Sequence, residues 1–558
     1  MRIGQRKPTS RRTLGSVTWL GTLILAFAIG VSGGVLGWYE TLLRRLPELV
    51  WRDRAVTPAA ELLTVTMDMD FADYEGLLEQ RERALQKGVV LPSEEAFVPA
   101  TVRVADATAP VEVRLAAGLA ERLGVNEKWG FQIRAENAVP ILGLYRFQLL
   151  DPASNNWLNQ WAFVQALQRE GVLAARYRFV RLVLNGRDWG ICAVQEDAAN
   201  ELLGAQGRPR GVIVGFDADL LSKSIAHLQA DVQSVYADPV TNLSASDIQY
   251  LEGDSFRAPD ARNTDLFLER DKAIGLLRSL QRGERVASEI FDVAQYGRFL
   301  AHTDLWGAVE GVSLVNLKYY YDAASGWLEP VLFSANPLAT DARLPLAATY
   351  SDPRLQAAYV QEAVRISQSE YLDLLRSELE GEWQGLAAAL RREAGELSPP
   401  WDALRSRQEN LRRSLNPVQP VFAYLAPPPS KPSTSGYAMV RINVGNVLNL
   451  PVEVIGFEIQ GTTFLPVDLA WVRVSSRGLL VDDEDRVILR ALDAARSPVI
   501  GYVQFDIPLS AIQRLDQEVN FDHDLDIQVA AHILGYATPR LTPVRPGSPV
   551  LLFAGAAE

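Results

Sequence analysis

Between Arg12 and Glu40 the chain carries no charged side chain, and the run includes WLGTLILAFAIGV. At about 1.5 Å per residue a helix over this run would reach about 40 Å, more than the roughly 30 Å of a hydrocarbon core. It therefore predicts a transmembrane helix over residues 14–39. Arg2, Arg6, Lys7, Arg11 and Arg12 precede it. The positive-inside bias then predicts a cytoplasmic tail at residues 1–13 and a single-pass protein of the cell membrane whose bulk is extracytoplasmic. A cleaved signal peptide is the competing reading, since Ala26-Phe27-Ala28 resembles a small-residue cleavage site, but apolar residues continue to Trp38 and Tyr39. Gly30 with Gly34, and Gly33 with Gly37, form small-xxx-small pairs that suit the close approach of two such helices in a homodimer, the competing reading being that glycine is simply common in membrane helices. Residues 40–58, with Leu42, Leu43, Leu46, Leu49 and Val50 among arginines, read as a juxtamembrane stalk.

The rest of the 558 residues is too long for one ordinary domain. The net charge of -13 argues against a broad phosphate-binding surface, so nucleic acid is not an expected partner. A single cysteine, Cys192, excludes a disulfide scaffold and a cysteine-built zinc site. Residues 426–436, APPPSKPSTSG, read as a Pro/Ser linker between two styles of sequence. Upstream, residues 59–425 mix strands and helices. TVRV, VEVRL and WGFQIRA alternate like a small antiparallel sheet, and Asn185-Gly186 marks a hairpin. Long helical patterns fill Asp352 to Leu397. That order predicts an α+β body. Downstream, residues 437–558 are short alternating runs punctuated by Gly, Pro and Asp, which predicts an all-β sandwich.

Most catalytic signatures are missing, among them GxxxxGK[ST], HExxH and the G-x-S-x-G elbow. His227, His302, His523 and His532 are too few and too scattered for a His-rich metal site. FDHDLD groups Asp522, His523, Asp524 and Asp526, but without the glycine and distal glutamate of a calcium loop it reads as an acidic turn.

The segments VEVRLAAG, EKWGFQIRA, QREGVLAARYRFVRLVLNGRDWGICAVQED and HTDLWGAVEGVSLVNLKYYYDAASGWLEPVLFSANP occur in that order. Together they resemble the CotH kinase-like family, the spore-coat-protein-H-type proteins with an atypical protein-kinase fold, over roughly Leu62 to Leu397. The resemblance implies phosphoryl transfer with ATP and Mg²⁺ as cofactors if the chain is active, and none otherwise. It maps the phosphate cation to Lys128 or Arg134, its carboxylate partner to Glu196, the catalytic aspartate to Asp304 and a magnesium ligand to Asn316. Three positions depart from the family pattern. Ala116 stands for its lysine, Val315 for its histidine, and Ser334 for the second metal-binding aspartate. A hydroxyl brings no charge to a doubly charged, strongly hydrated ion. The resemblance with these departures implies a degenerate kinase acting as a binding or structural module of the cell envelope, its partner an envelope protein or surface polymer. The alternatives are an active ATP-dependent kinase acting on exported or surface proteins, and polysaccharide or protein recognition by the β-sandwich.

Overall fold

The computed structural model describes residues 59–546 except 88, 91–92, 94–95, 117, 120–127, 137–138, 198–199, 217–250, 254–263, 314–315, 345–351, 427–438, 474–477, 483, 493–499 and 516–525. The expected tail, membrane helix with its glycine pairs, stalk, nearly all of the Pro/Ser linker, and the acidic turn up to residue 525 lie outside the described residues.

Seven strands close into a barrel. They are β1 (Thr64–Asp68), β2 (Val98–Val104), β3 (Ala107–Leu115), β4 (Phe131–Ala135), β5 (Arg146–Leu150), β6 (Tyr177–Leu184) and β7 (Arg187–Glu196). Their order round the barrel is β1-β2-β3-β4-β5-β7-β6. Every neighbouring pair is antiparallel except β1 and β6, which run parallel with Thr64 to Met67 against Arg181 to Leu184. Alternation supplies the interior: Val65, Met67, Val113, Ile133, Phe147 and Leu182 are fully buried. Helix α1 (Phe71–Lys87) adds Leu77 and Ala84 to that core. The β6–β7 turn has Asn185 at φ 47° and Gly186 at φ 75°, the two left-handed residues of a type I′ turn.

A second sheet follows the order β9-β8-β10-β11, from β8 (Val212–Phe216), β9 (Leu251–Gly253), β10 (Leu317–Asp322) and β11 (Trp327–Leu332), with Leu173–Ala174 on its edge. It shares an apolar core with α2 (Leu158–Arg169), α3 (Thr264–Gln281), α4 (Val293–Leu305), α5 (Pro353–Ile366), α6 (Ser369–Ala394) and α7 (Trp401–Leu415). Helix α4 starts at Asp292, whose side chain accepts from the Gln295 amide at 3.0 Å. It buries Tyr296, Phe299, Leu300 and Thr303 on one face, the i, i+3, i+4, i+7 spacing of an inward stripe. Helix α5 has Asp352 as its cap and Pro353 in its first turn. The two helices cross closely at Gly297, where an added Cβ would lie 2.7 Å from the Ala358 backbone.

Two more sheets share the last core. One is β18-β13-β12-β21, from β12 (Val421–Leu425), β13 (Met439–Asn446), β18 (Tyr502–Pro508) and β21 (Arg545–Pro546). The other runs β16-β17-β14-β19-β20, from β14 (Val452–Ile459), β16 (Leu479–Val481), β17 (Val487–Leu489), β19 (Ile527–Ile533) and β20 (Arg540–Pro543), with β15 (Thr463–Pro466) hairpinned onto β14. Phe457 and Phe505 meet edge to face between the sheets at 5.2 Å. Strand β12, upstream of the Pro/Ser segment, pairs with β13 beyond it.

The expected fold class needs correction. The body is mixed α/β with several sheets, and its first sheet is a closed seven-stranded barrel where a small kinase-type antiparallel sheet was expected. The cause is the parallel β1–β6 contact, which joins the edges that an open sheet would leave free. Among the described residues no helix is long and apolar enough to cross a membrane, so the described fold contains no transmembrane helix; the run at residues 14–39 lies outside them.

Candidate functional site

The residues aligned with catalytic roles are each held by a different neighbour. Lys128, just before β4, pairs with Glu393 of α6 and donates to the Ile191 carbonyl at 3.0 Å. Glu393 also accepts from the Ile191 amide at 2.8 Å, so this ion pair ties the barrel wall to α6. Arg134 faces Glu112 across the β3–β4 pair, its Nε donating at 2.7 Å, and its guanidinium lies 4.3 Å from the Phe97 ring. Glu196, at the end of β7 and 1 % exposed, takes a two-pronged hydrogen bond from Arg176 at 2.8 and 2.6 Å and accepts from the Arg176 amide. That bond holds the Arg176 guanidinium above its ordinary pKa against the cost of burial.

Asp304, one residue from the end of α4, is 2 % exposed. Arg343 Nε donates to its two oxygens at 2.8 and 2.9 Å, the Tyr359 hydroxyl donates at 2.6 Å, and the Leu344 amide at 3.2 Å. A second Arg343 nitrogen lies 2.7 Å from Oδ2. Burial opposes the Arg343 charge, but the Asp304 carboxylate outweighs it and raises the guanidinium pKa. Burial and Asp304 together raise the Tyr359 phenol well above its usual range. Arg407 of α7 donates to the Asp304 and Leu305 carbonyls at 2.9 Å each, which finishes the end of the helix.

Asn316 and Ser334 come near one another at the base of the β10–β11 hairpin, where the Phe333 amide donates to the Asn316 carbonyl at 2.8 Å. The Asn316 side-chain amide donates to the Glu310 carbonyl at 3.1 Å, and the Ser334 hydroxyl accepts from Asn155 at 3.3 Å. These residues do not fit a magnesium nucleotide. Ser334 contributes no charge, Asn316 is turned to the backbone, and the Asp304 oxygens are filled by internal donors. Cys192 faces the barrel core, and burial pushes its thiol up to about 12.

A different group does converge. Glu170, the residue that caps the end of α2, His302 of α4 and Glu362 of α5 have ligand-type atoms within 4.8 Å of one another. Arg365 hydrogen-bonds Glu170 Oε2 at 2.6 Å and both oxygens of Glu362 at 2.5 and 3.0 Å. Its guanidinium lies 5.5 Å from the Tyr371 ring, which meets the His302 ring edge-on at 5.6 Å. Burial is the larger influence on His302 and lowers its pKa, although Glu362 and Glu170 pull the other way. Burial also opposes ionisation of Glu362, but the Arg365 hydrogen bonds prevail and hold its carboxyl below the ordinary value. Sequence reading saw His302 only as one of four scattered histidines; the cluster draws on three helices, and no local motif announces it.

No family model matches the chain, and no curated protein matches it. The CotH-type resemblance rests on the quoted segments alone. The descriptions kinase-like, pseudokinase and cell envelope find nothing behind them in the comparisons and are withdrawn, and no described helix supports a transmembrane one.

Proposed function

We propose that the described body is a non-catalytic binding or structural module. One observation carries the reading: the Asp304 carboxylate, which phosphoryl transfer would need to face a substrate hydroxyl, is 2 % exposed and surrounded by donors from Arg343, Tyr359 and the Leu344 amide. A general base needs a free acceptor site within hydrogen-bond reach of the proton it takes, and here the acceptor sites serve the interior. Glu196 is spent in the same way on Arg176, and Lys128 on Glu393. Charge that would act on a nucleotide instead joins helix to helix and helix to barrel.

The test is incubation of the full chain with ATP and Mg²⁺ or Mn²⁺. The expected result is no change in melting temperature and no phosphate incorporation. Nucleotide-dependent autophosphorylation that disappears in a folded Asp304→Asn variant would overturn the reading.

A further inference from the structure

We infer that Glu170, His302 and Glu362 form a binding site for a divalent transition-metal ion of the zinc type, linking α2, α4 and α5. The argument starts at one hydrogen bond. His302 Nδ1 lies 2.8 Å from the Arg298 carbonyl, one turn back on the same helix. A carbonyl oxygen only accepts, so Nδ1 carries the hydrogen and Nε2 presents a lone pair. Nε2 is fully buried and has no hydrogen-bond partner among the described residues. It faces Glu170 Oε1 at 3.9 Å, beyond hydrogen-bond reach, while Glu362 Oε1 lies 3.8 Å from the ring's other nitrogen, Nδ1, so ligation by all three residues requires the Glu362 carboxylate to turn toward Nε2. Two electron-rich atoms thus confront one another, the imidazole fully buried and the carboxylate partly so, an arrangement that a cation between them relieves.

The second-sphere geometry is the one metal-binding histidines use: one ring nitrogen on the ligand side, the other donating to a backbone carbonyl that fixes tautomer and ring orientation. Imidazole nitrogen with two carboxylates suits a borderline ion at metal–ligand distances of about 2.0–2.2 Å, and a three-residue set leaves a further position for water. Mg²⁺ and Ca²⁺ prefer all-oxygen sets and should bind far less well. Arg365 leaves the cluster usable. It holds Glu170 by Oε2 and leaves Oε1 toward His302, and each Glu362 oxygen keeps a second lone pair. The two carboxylates face two guanidiniums, Arg365 and Arg298, the latter donating to the Glu170 carbonyl at 2.9 Å, so a bound cation would share the carboxylates with both arginines. The Tyr371 ring meets His302 edge-on, and its hydroxyl is likewise buried and without a partner among the described residues. Gly297 is the structural precondition, since its lack of a side chain lets α4 and α5 approach closely enough for His302 and Glu362 to meet.

The experiment titrates the metal-stripped full chain with Zn²⁺ by calorimetry, and with Co²⁺ by its visible absorption, beside Mg²⁺ as the control ion. The expected outcome is one Zn²⁺ per chain, a Co²⁺ spectrum of low-symmetry nitrogen and oxygen ligation, and no matching heat with Mg²⁺. Glu170→Gln keeps size and the contact to Arg365 while weakening the ligand, and should raise the dissociation constant at least about 10-fold. His302→Asn should abolish the Co²⁺ spectrum; circular dichroism checks that each variant is folded. Absence of Zn²⁺ binding by the wild-type chain overturns the inference, as does binding that a folded Glu170→Gln variant leaves unchanged. ATP plays no part in these titrations, so their outcome is independent of the phosphoryl-transfer test.

Discussion

At the residue scale, Asp304 shows why matching a motif position does not transfer its chemistry. Asp304 lies one residue from the end of α4, and its partners Arg343 and Tyr359 lie 39 and 55 positions away and carry no motif. If the carboxylate serves the interior, Arg343→Met should destabilise the full chain by about 3 kcal/mol, the low end of the cost of orphaning a buried charge, because the Arg343 side chain is 37 % exposed. Asp304→Leu combined with Arg343→Met should cost less than the two single changes added, as measured by urea unfolding. Additive effects would mean that the pair is not coupled. Gly190 offers a second test. It sits at φ +92° beside an irregularity in the β6–β7 register, and a Cβ there would lie 2.7 Å from Glu393 Oε1. Gly186, at φ +75°, has nothing within 4 Å of an added Cβ. Gly186→Ala should therefore cost only the left-handed backbone penalty of about 1–2 kcal/mol, and Gly190→Ala clearly more, the difference shrinking in a Glu393→Ala background. Equal melting temperatures for the two alanine variants would remove the Glu393 contact from the explanation.

At the element scale, what could be read from sequence was what short-range pattern determines. The Asn185-Gly186 turn forms because two adjacent left-handed residues suit that pair, and helices α1, α2 and α4 fall where apolar spacing puts them, α4 with Asp292 as its cap. Helix α7 was readable but missed: Trp401, Leu404, Gln408, Leu411 and Leu415 follow a three-four spacing, disguised by the arginines between them. Barrel closure left no such mark. Strands β1 and β6 are separated by more than a hundred residues, and a parallel pairing has no turn to announce it. The Glu170, His302 and Glu362 cluster was hidden for the same reason, its members meeting only after α2, α4 and α5 pack. Cross-strand pairs also give an element its pH response. His532 on β19 stands opposite Glu453 on β14, with Nε2 3.3 Å from the carboxylate. The Glu453 hydrogen bond is the main cause of a raised His532 pKa, with burial opposing it. The protonated form is thus favoured in the folded state, so this pair adds stability that is complete below the unfolded value of about 6.5 and is lost as pH rises through the folded value. Between about pH 6 and 8, wild type should lose more stability than Glu453→Gln; parallel pH profiles of unfolding free energy would count against the pair.

At the scale of the whole molecule, Ala59–Glu558 groups as one unit, and the contacts say why. Leu450 and Ile533, from the C-terminal sheets, lie buried in the same apolar cluster as α4, α5 and α7. Gly535 approaches α5 so closely that a Cβ would sit 2.6 Å from the Ala357 carbonyl oxygen, and Arg540 Nε donates to the Asn416 side chain at 3.0 Å. Strand β12, moreover, has both its strand neighbours, β13 and β21, on the far side of residues 427–438. A chain cut after Ala426 would uncover β12 along both edges and lose the packing of Leu450 and Ile533, each worth about 1.5–3 kcal/mol of burial. The two halves therefore stabilise each other through a shared core, and the C-terminal sheets act as more than an appendage to the helical part. Residues 59–426 alone should melt well below residues 59–558, and the longer chain should unfold in one calorimetric transition. A shorter chain that keeps the longer chain's melting temperature, or two separate transitions in the longer one, would show the halves to be independent.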